Sequence, residues 1–143
     1  TDSKDDVYIV GATKSDLFRA GTGGAQPNCQ SCPTFFDCFI IKFSPEGMFL
    51  NSTYWGGSDN DFAHSIDIGV NNEVVIIGET FSSDFPTVSP YQAACNSCGS
   101  NQPDAFIARF SSPLGLCYWS TYYGGNNKDM GLDIDYHTAL SGD

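Results

Sequence analysis

The residues best suited to chemistry are six cysteines, four of which form two Cys-x-x-Cys units, Cys29-Gln30-Ser31-Cys32 and Cys95-Asn96-Ser97-Cys98. Thiols at this spacing bind zinc, exchange electrons or close a disulfide, and their surroundings choose among these. A zinc site needs the two pairs to converge on one tetrahedron. Here they occupy equivalent loops of two successive repeats, which places them a repeat apart. Neither pair is followed by His, which excludes c-type haem attachment. A thioredoxin-like role wants the pair at a helix N-terminus beside a βαβ pattern, and the chain has no such pattern. The expectation is a disulfide clipping each loop, Cys29 with Cys32 and Cys95 with Cys98, in an oxidising compartment. Pairing with Cys38 or Cys117 is the competing arrangement. Those two lie on expected strands, where they would bond between repeats or stay as buried thiols.

Two acidic turns come next, Gly57-Ser58-Asp59-Asn60-Asp61 and Gly125-Asn126-Asn127-Lys128-Asp129. Asp59, Asn60 and Asp61 offer oxygen ligands for calcium. The second copy, however, carries Lys128 in its middle, and neither has the Gly and terminal Glu of an EF-hand. A turn in which Asp and Asn bond their own backbone is the preferred reading, so no cofactor is expected. Asn51-Ser52-Thr53 matches a glycosylation sequon, but it recurs as Trp119-Ser120-Thr121 on a strand, which favours a role in the fold. His64 and His137 fall on or beside one kind of strand. No HExxH, activated nucleophile or Gly-x-Ser-x-Gly elbow accompanies them. Asp67 and Asp135 are repeat-equivalent and read as strand-edge residues rather than an acid/base pair. No catalytic constellation emerges, and the expectation is a protein that is not an enzyme.

The elements that position these groups come from an internal repeat. Asp6-Val7-Tyr8-Ile9-Val10-Gly11-Ala12-Thr13 returns 67 residues later as Glu73-Val74-Val75-Ile76-Ile77-Gly78-Glu79-Thr80. Asp37-Cys38-Phe39-Ile40-Ile41-Lys42-Phe43-Ser44 returns at the same offset as Asp104-Ala105-Phe106-Ile107-Ala108-Arg109-Phe110-Ser111. Ser52-Thr53-Tyr54-Trp55-Gly56-Gly57 returns as Ser120-Thr121-Tyr122-Tyr123-Gly124-Gly125, one residue further on. Period-two alternation and β-branched or aromatic content predict strands over Phe62 to Ile68, Glu73 to Thr80, Asp104 to Phe110 and Leu116 to Tyr123. Turns follow from Val70-Asn71-Asn72, Ser112-Pro113-Leu114-Gly115 and Gly56-Gly57-Ser58-Asp59.

Four short antiparallel strands at a steady period are the signature of a propeller blade, whose apolar faces are buried only against neighbouring blades. The segments "DAFIARFS", "STYYGG" and "DFAHSIDIG…NEVVIIGETFSSDFPT" resemble the bacterial β-propeller repeat family known as SBBP. The first repeat departs from the pattern at Leu17 to Gln26, and it has Cys38 where the pattern has Ala. The resemblance implies an extracellular or surface-exposed bacterial protein and no common activity. The expected fold is all-β and β-propeller-like, with two four-stranded antiparallel blades in permuted frame. Repeat one spans about residues 6–72 and repeat two about 73–143. In that frame the chain opens at a second strand, and Met130 to Tyr136 is the first strand of a third blade. Ser141-Gly142-Asp143 then stands where another second strand should start. Two blades cannot close a ring of about 4–8. The expectation is a piece of a longer chain or of a head-to-tail assembly, since two blades alone would expose large apolar faces.

Composition bounds the partners. Over 143 residues, six Lys plus Arg face seventeen Asp plus Glu, a formal net charge of −11. That balance excludes nucleic acid and anionic lipid, both of which need a basic surface. No apolar run approaches the ~20 residues of a membrane span, and no membrane insertion is expected. The chain begins at Thr1 without a signal-peptide layout, the expectation for a processed product or an excised piece. Long loops, Lys14 to Phe36 and Phe81 to Pro103, leave one face of the scaffold, where recognition usually sits. Phe35, Phe36 and Tyr91 are their candidate contact residues. The expected function is a non-enzymatic extracellular or cell-surface module: scaffold, adhesin or filament component. Its partners would be further blades of the same chain, other copies, surface proteins or glycans. The second reading is carbohydrate binding by rings such as Trp55, Trp119 and Tyr123.

Overall fold

The β-branched and aromatic runs fold as strands in two antiparallel sheets. The computed structural model describes residues 1–16 and 23–137. Among them β1 (Val7–Thr13), β2 (Asp37–Phe43) and β3 (Phe49–Trp55) form one sheet in the order β1-β2-β3. The second sheet holds β4 (Asp61–Ile68), β5 (Val74–Thr80), β6 (Asp104–Phe110) and β7 (Cys117–Tyr123), again in chain order. Strands β4 to β7 each start within a residue of the bounds read from the sequence. No α-helix occurs among the described residues, and no helix is long and apolar enough to cross a membrane. The β4–β5 turn places Asn71 at φ 58° and Asn72 at φ 60°, left-handed conformations that Asn tolerates better than branched residues.

One expected element is corrected. Met130 to Tyr136 is not a strand: it runs beside β4 and β5 without a ladder partner. It is held instead by single contacts, Gly131 N donating to Gly78 O (3.1 Å) and Tyr136 N donating to Asp67 Oδ2 (2.6 Å). An alternating sequence specifies which face a strand shows, but a ladder also needs a second backbone edge. The two sheets are three- and four-stranded, the count that a chain opening at a second strand supplies, and they form no closed barrel or ring among the described residues. Leu17 to Thr22 of the divergent segment and Ser141 to Asp143 lie outside the described residues.

The two sheets pack face to face. Alternation puts Cys38, Ile40 and Trp55 on one face of the three-stranded sheet, against Val74, Ile76, Phe106, Ala108 and Phe110 of the four-stranded one. All eight are buried, and the Trp55 and Phe110 rings meet edge to face with centroids 5.0 Å apart. Gly78 lets β4 come close to β5, because a Cβ there would lie 2.9 Å from the Ala63 Cα. Away from the interface, burial follows the repeat in an informative way. Ile9 is the counterpart of the fully buried Ile76 yet is 45% exposed, and Val7 and Phe49 are exposed likewise. At the other end Tyr123, the counterpart of Trp55, is 62% exposed against 5% for Trp55.

Trp55→Ala is expected to cost roughly 3–5 kcal/mol of unfolding free energy in urea titrations, since it empties the interface. Tyr123→Ala, at the same repeat position but uncovered, should cost less than about 1 kcal/mol. Equal losses would show that Trp55 does not hold the sheets together.

Candidate functional site

The same assembly of side chains is built at each long loop. In the loop between β5 and β6, Asp104 is fully buried at the first position of its strand. Its Oδ2 accepts hydrogen bonds from Asn96 N (2.9 Å) and Gln92 Nε2 (3.1 Å), and its Oδ1 accepts one from Ser97 Oγ (2.5 Å). In the loop between β1 and β2, Asp37 does the same. Gln30 N (2.7 Å) and Gln26 Nε2 (3.4 Å) donate to its Oδ2, and Ser31 Oγ (2.5 Å) donates to its Oδ1. The glutamines carry the link onward. Gln26 Oε1 accepts from Gly56 N and Gln92 Oε1 from Gly124 N, each at 3.1 Å. A Cβ on Gly56 would stand 2.8 Å from Asp37 Cγ, and one on Gly124 would stand 2.6 Å from Asp104 Cγ. Each Gly-Gly turn therefore exists to let a carboxylate tuck beneath it.

Each disulfide caps such a cluster. Cys29 is bonded to Cys32 and Cys95 to Cys98, with Cα separations of 5.6 and 5.7 Å. The Cys32 N–H points at the Cys29 sulfur (3.1 Å), and the Cys98 N–H at the Cys95 sulfur (3.0 Å). Cys38 and Cys117 are free and buried, and burial pushes the Cys117 thiol up to about 11 and the Cys38 thiol well above its ordinary value. A buried tyrosine completes each loop: Tyr54 Oη donates to Ser15 O (2.7 Å), and Tyr122 Oη donates to Ser82 O (2.7 Å) while accepting from Phe85 N (2.9 Å).

The acidic turn after β3 spends its oxygens on backbone. Asp61 Oδ2 accepts from Gly57 N (2.8 Å) and Ser82 Oγ (2.9 Å), Asp59 Oδ1 from Asn60 N (2.7 Å), and Asn60 Oδ1 from Phe36 N (3.2 Å). Asp84 Oδ1 accepts from both Ser58 N and Ser58 Oγ at 2.9 Å. These carboxylates tie loops together, and among the described residues no three acidic, His or Cys side chains are placed to hold a metal ion. Asn51 lies within β3, where its amide donates to Pro113 O, so its side chain serves packing. His64 Nε2 stands 3.6 Å from Glu79, and the exposed His137 Nε2 stands 2.8 Å from Asp135.

Two clefts open beside the Gly-Gly turns. The first, about 360 Å³, lies between the sheets and is lined by Gln26, Gln30, Trp55, Gly56, Asp84 and Pro86, among others. The second, about 370 Å³, is its repeat counterpart, lined by Tyr91, Gln92, Tyr123, Gly124, Gly125 and Asp129. Here Tyr91 is 87% exposed, its ring 6.5 Å from that of Tyr123. Of the other expected contact residues, Phe35 is exposed, and Phe36 packs on Phe62 at 5.4 Å with the Lys14 ammonium 4.7 Å above its ring. Trp55 is inside the sheet interface, and its ring is not free to stack on a ligand. No protein-family model and no curated protein matches the chain.

The sequence reading missed the Asp37 and Asp104 clusters. It also set Gln26 inside the divergent segment, whereas structure makes Gln26 the counterpart of Gln92. The signal was present: Gln26 and Gln92 are separated by 66 residues, the same spacing as Cys29 and Cys95.

Two buried carboxylates give stability a pH dependence of opposite signs. Burial pushes Asp61 up to about 7, with the negative Asp37 nearby adding to it, against hydrogen bonds from Thr80, Gly57 and Ser82. For Asp2, burial also acts upward, but bonds from Lys4 N, Lys42, Tyr8 and Asp6 N outweigh it and hold the group at about 2. A folded pKa above the unfolded one gives a contribution that is full below about pH 4 and lost as pH rises toward 7. The lowered Asp2 contributes above about pH 4 and loses that contribution as pH falls toward 2. Urea unfolding from about pH 3 to about pH 8 should therefore show maximal stability near pH 4. Asp61→Asn should flatten the decline above it; an unchanged decline would assign it elsewhere.

Proposed function

We propose that the chain is a non-catalytic structural or interaction module of the extracellular or cell-surface kind, built from propeller-type blades related to the SBBP repeats. One observation carries the reading. The face of the four-stranded sheet that is buried in this structure, with Val74, Ile76, Phe106 and Phe110, is the repeat image of a face of the three-stranded sheet on which Val7 and Ile9 are exposed and Phe39 and Phe43 are half-buried. A face designed to be covered in one repeat is uncovered in the other, so the module is one that stacks on neighbouring blades. The paired carboxylate clusters support a scaffold role, because both repeats use their acidic groups to hold loops.

Two disulfides on exposed loops support an oxidising compartment, since cytosolic thiol buffers keep such cysteines reduced. Thiol titration of the denatured, unreduced protein should find two free thiols, those of Cys38 and Cys117. Six would remove the argument for secretion.

A second reading, glycan binding, draws on the cleft of Tyr91 and Tyr123. Two exposed rings over a polar floor suit the apolar face and hydroxyl edge of a sugar. Titration with a panel of mono- and oligosaccharides should quench or shift tyrosine emission, and Tyr91→Ala should abolish the response. Silence across the panel would leave the scaffold reading alone.

A further inference from the structure

Each Cys-x-x-Cys loop holds its two sulfurs in place twice over, once by the S–S bond and once by hydrogen bonds that do not involve it. The residues between Cys29 and Cys32 are tied to Asp37, through Gln30 N at 2.7 Å and Ser31 Oγ at 2.5 Å. Those between Cys95 and Cys98 are tied to Asp104 in the same way, through Asn96 N at 2.9 Å and Ser97 Oγ at 2.5 Å. Opening either S–S bond would leave these bonds standing. Each disulfide joins residues only three apart in sequence, so the cross-link removes little chain entropy when it closes. All four cysteines of the two pairs are half-buried, and Gln30, Pro33, Asn96 and Gly99 beside them are exposed.

The backbone around each pair also suits the reduced form. The Cys98 N–H points at Cys95 Sγ (3.0 Å) and the Cys32 N–H at Cys29 Sγ (3.1 Å). A thiolate accepts such a bond far better than a disulfide sulfur does. On the other side of each pair, Cys98 Sγ stands 3.5 Å from Thr80 O and Cys32 Sγ stands 3.7 Å from Thr13 O. A disulfide sulfur has no proton to give those carbonyls, and a thiol has one. One sulfur of each pair thus faces a donor and the other an acceptor, and both repeats keep the same assignment.

We propose that Cys29–Cys32 and Cys95–Cys98 are reversible thiol–disulfide exchange sites, opened by low-molecular-weight thiols and closed again without unfolding of the chain. A reductant thiolate attacks Cys98 Sγ and forms a mixed disulfide. The Cys95–Cys98 bond breaks, and its electron pair leaves on Cys95 Sγ against the Cys98 N–H. A second reductant thiolate attacks the reductant's sulfur in the mixed disulfide, which releases Cys98 as a thiolate and makes the reductant's own disulfide. The two protons of the reductant thiols end on Cys95 and Cys98, and the Cys98 S–H donates to Thr80 O. Two thiols are oxidised and one protein disulfide is reduced. In the first loop Cys32 takes the part of Cys98 and Cys29 that of Cys95. Cys38 and Cys117 stay out of the exchange because both are buried and the thiolate is the reacting form. Asp37 and Asp104 are positioning residues, holding each dithiol with its sulfurs in reach so that it recloses quickly.

The test equilibrates the folded chain with a series of reduced-to-oxidised glutathione ratios, alkylates it without denaturant and locates the labels by peptide mass. Labels are expected on Cys29, Cys32, Cys95 and Cys98 as the ratio rises, with Cys38 and Cys117 unlabelled and the circular dichroism unchanged. Oxidised glutathione should then restore both disulfides. Asp104→Asn should slow reclosing of Cys95–Cys98 by roughly tenfold, because the sulfurs are no longer held together. Cys29–Cys32, with Asp37 intact, should reclose at its former rate in the same molecule and so serves as the control. If that variant fails to fold, Ser97→Ala, which leaves Asp104 bonded to Asn96 N and Gln92 Nε2, should slow the same pair alone. Disulfides that resist the most reducing ratio, as purely structural ones do, would overturn the proposal. So would loss of the fold on reduction, or a reclosing rate that Asp104→Asn and Ser97→Ala leave unchanged or slow equally at both loops.

Discussion

Each sheet carries large apolar side chains, and these stabilise the fold only where another layer covers them. In this chain the constraint is met once, where Trp55 and its neighbours lie on Phe110, Phe106 and Ile76. Burial of these large side chains is the main favourable term available where, among the described residues, there is no α-helix and few ion pairs. It fixes how the two sheets stand against each other and therefore where the loops between them open. It also leaves a remainder. Ile9 and Phe49 at one end and Tyr123 at the other are drawn from the same repeat positions but have nothing over them.

The loops depend on a second device, a carboxylate buried at the start of a strand. Burying Asp37 or Asp104 is costly unless each oxygen is hydrogen-bonded, and the serine, the glutamine and a backbone N–H of the loop supply those bonds. The glutamine then passes the constraint to the Gly-Gly turn that ends the neighbouring strand. A disulfide across four residues removes little chain entropy by itself. Its part here is to hold the serine and the backbone N–H against the aspartate, so the covalent clip and the buried charge act as one unit. Electrostatics runs in both directions through this arrangement. The Lys42 ammonium joins Asp2 and Asp6 at 3.0 and 2.8 Å, an ion pair that recurs as Arg109 with Glu73. Asp61 has no cation beside it among the described residues, and burial raises its carboxyl to about 7.

The repeat also explains the mechanical tasks that many polar residues perform in the described structure. Several acidic, amide and hydroxyl groups are duplicated at their counterpart positions and do the same mechanical task there. Gln26 and Gln92, Ser31 and Ser97, and Tyr54 and Tyr122 all fall into this pattern. Where the copies differ, the difference is exposure. The cleft beside Trp55 is walled by Asp84 and Pro86 of the next sheet, and the one beside Tyr123 lacks that wall.

Alternation and turn residues placed the four strands of the larger sheet, because period-two burial and Asn or Gly turns are local properties of the backbone, and the repeat carried them over to the smaller sheet. The repeat spacing was legible too, and with it the separate location of the two Cys-x-x-Cys loops. Three things were decided only in three dimensions. Met130 to Tyr136 has the pattern of a strand, but pairing needs an edge that a sequence pattern cannot supply. Trp55 and Tyr123 occupy one repeat position, and only the presence or absence of a sheet above them makes one a core residue and the other a surface. Asp37, Asp104 and the two glutamines are polar residues in loops by type. They become buried anchors because the chain folds back over them and returns every bond that water would otherwise make.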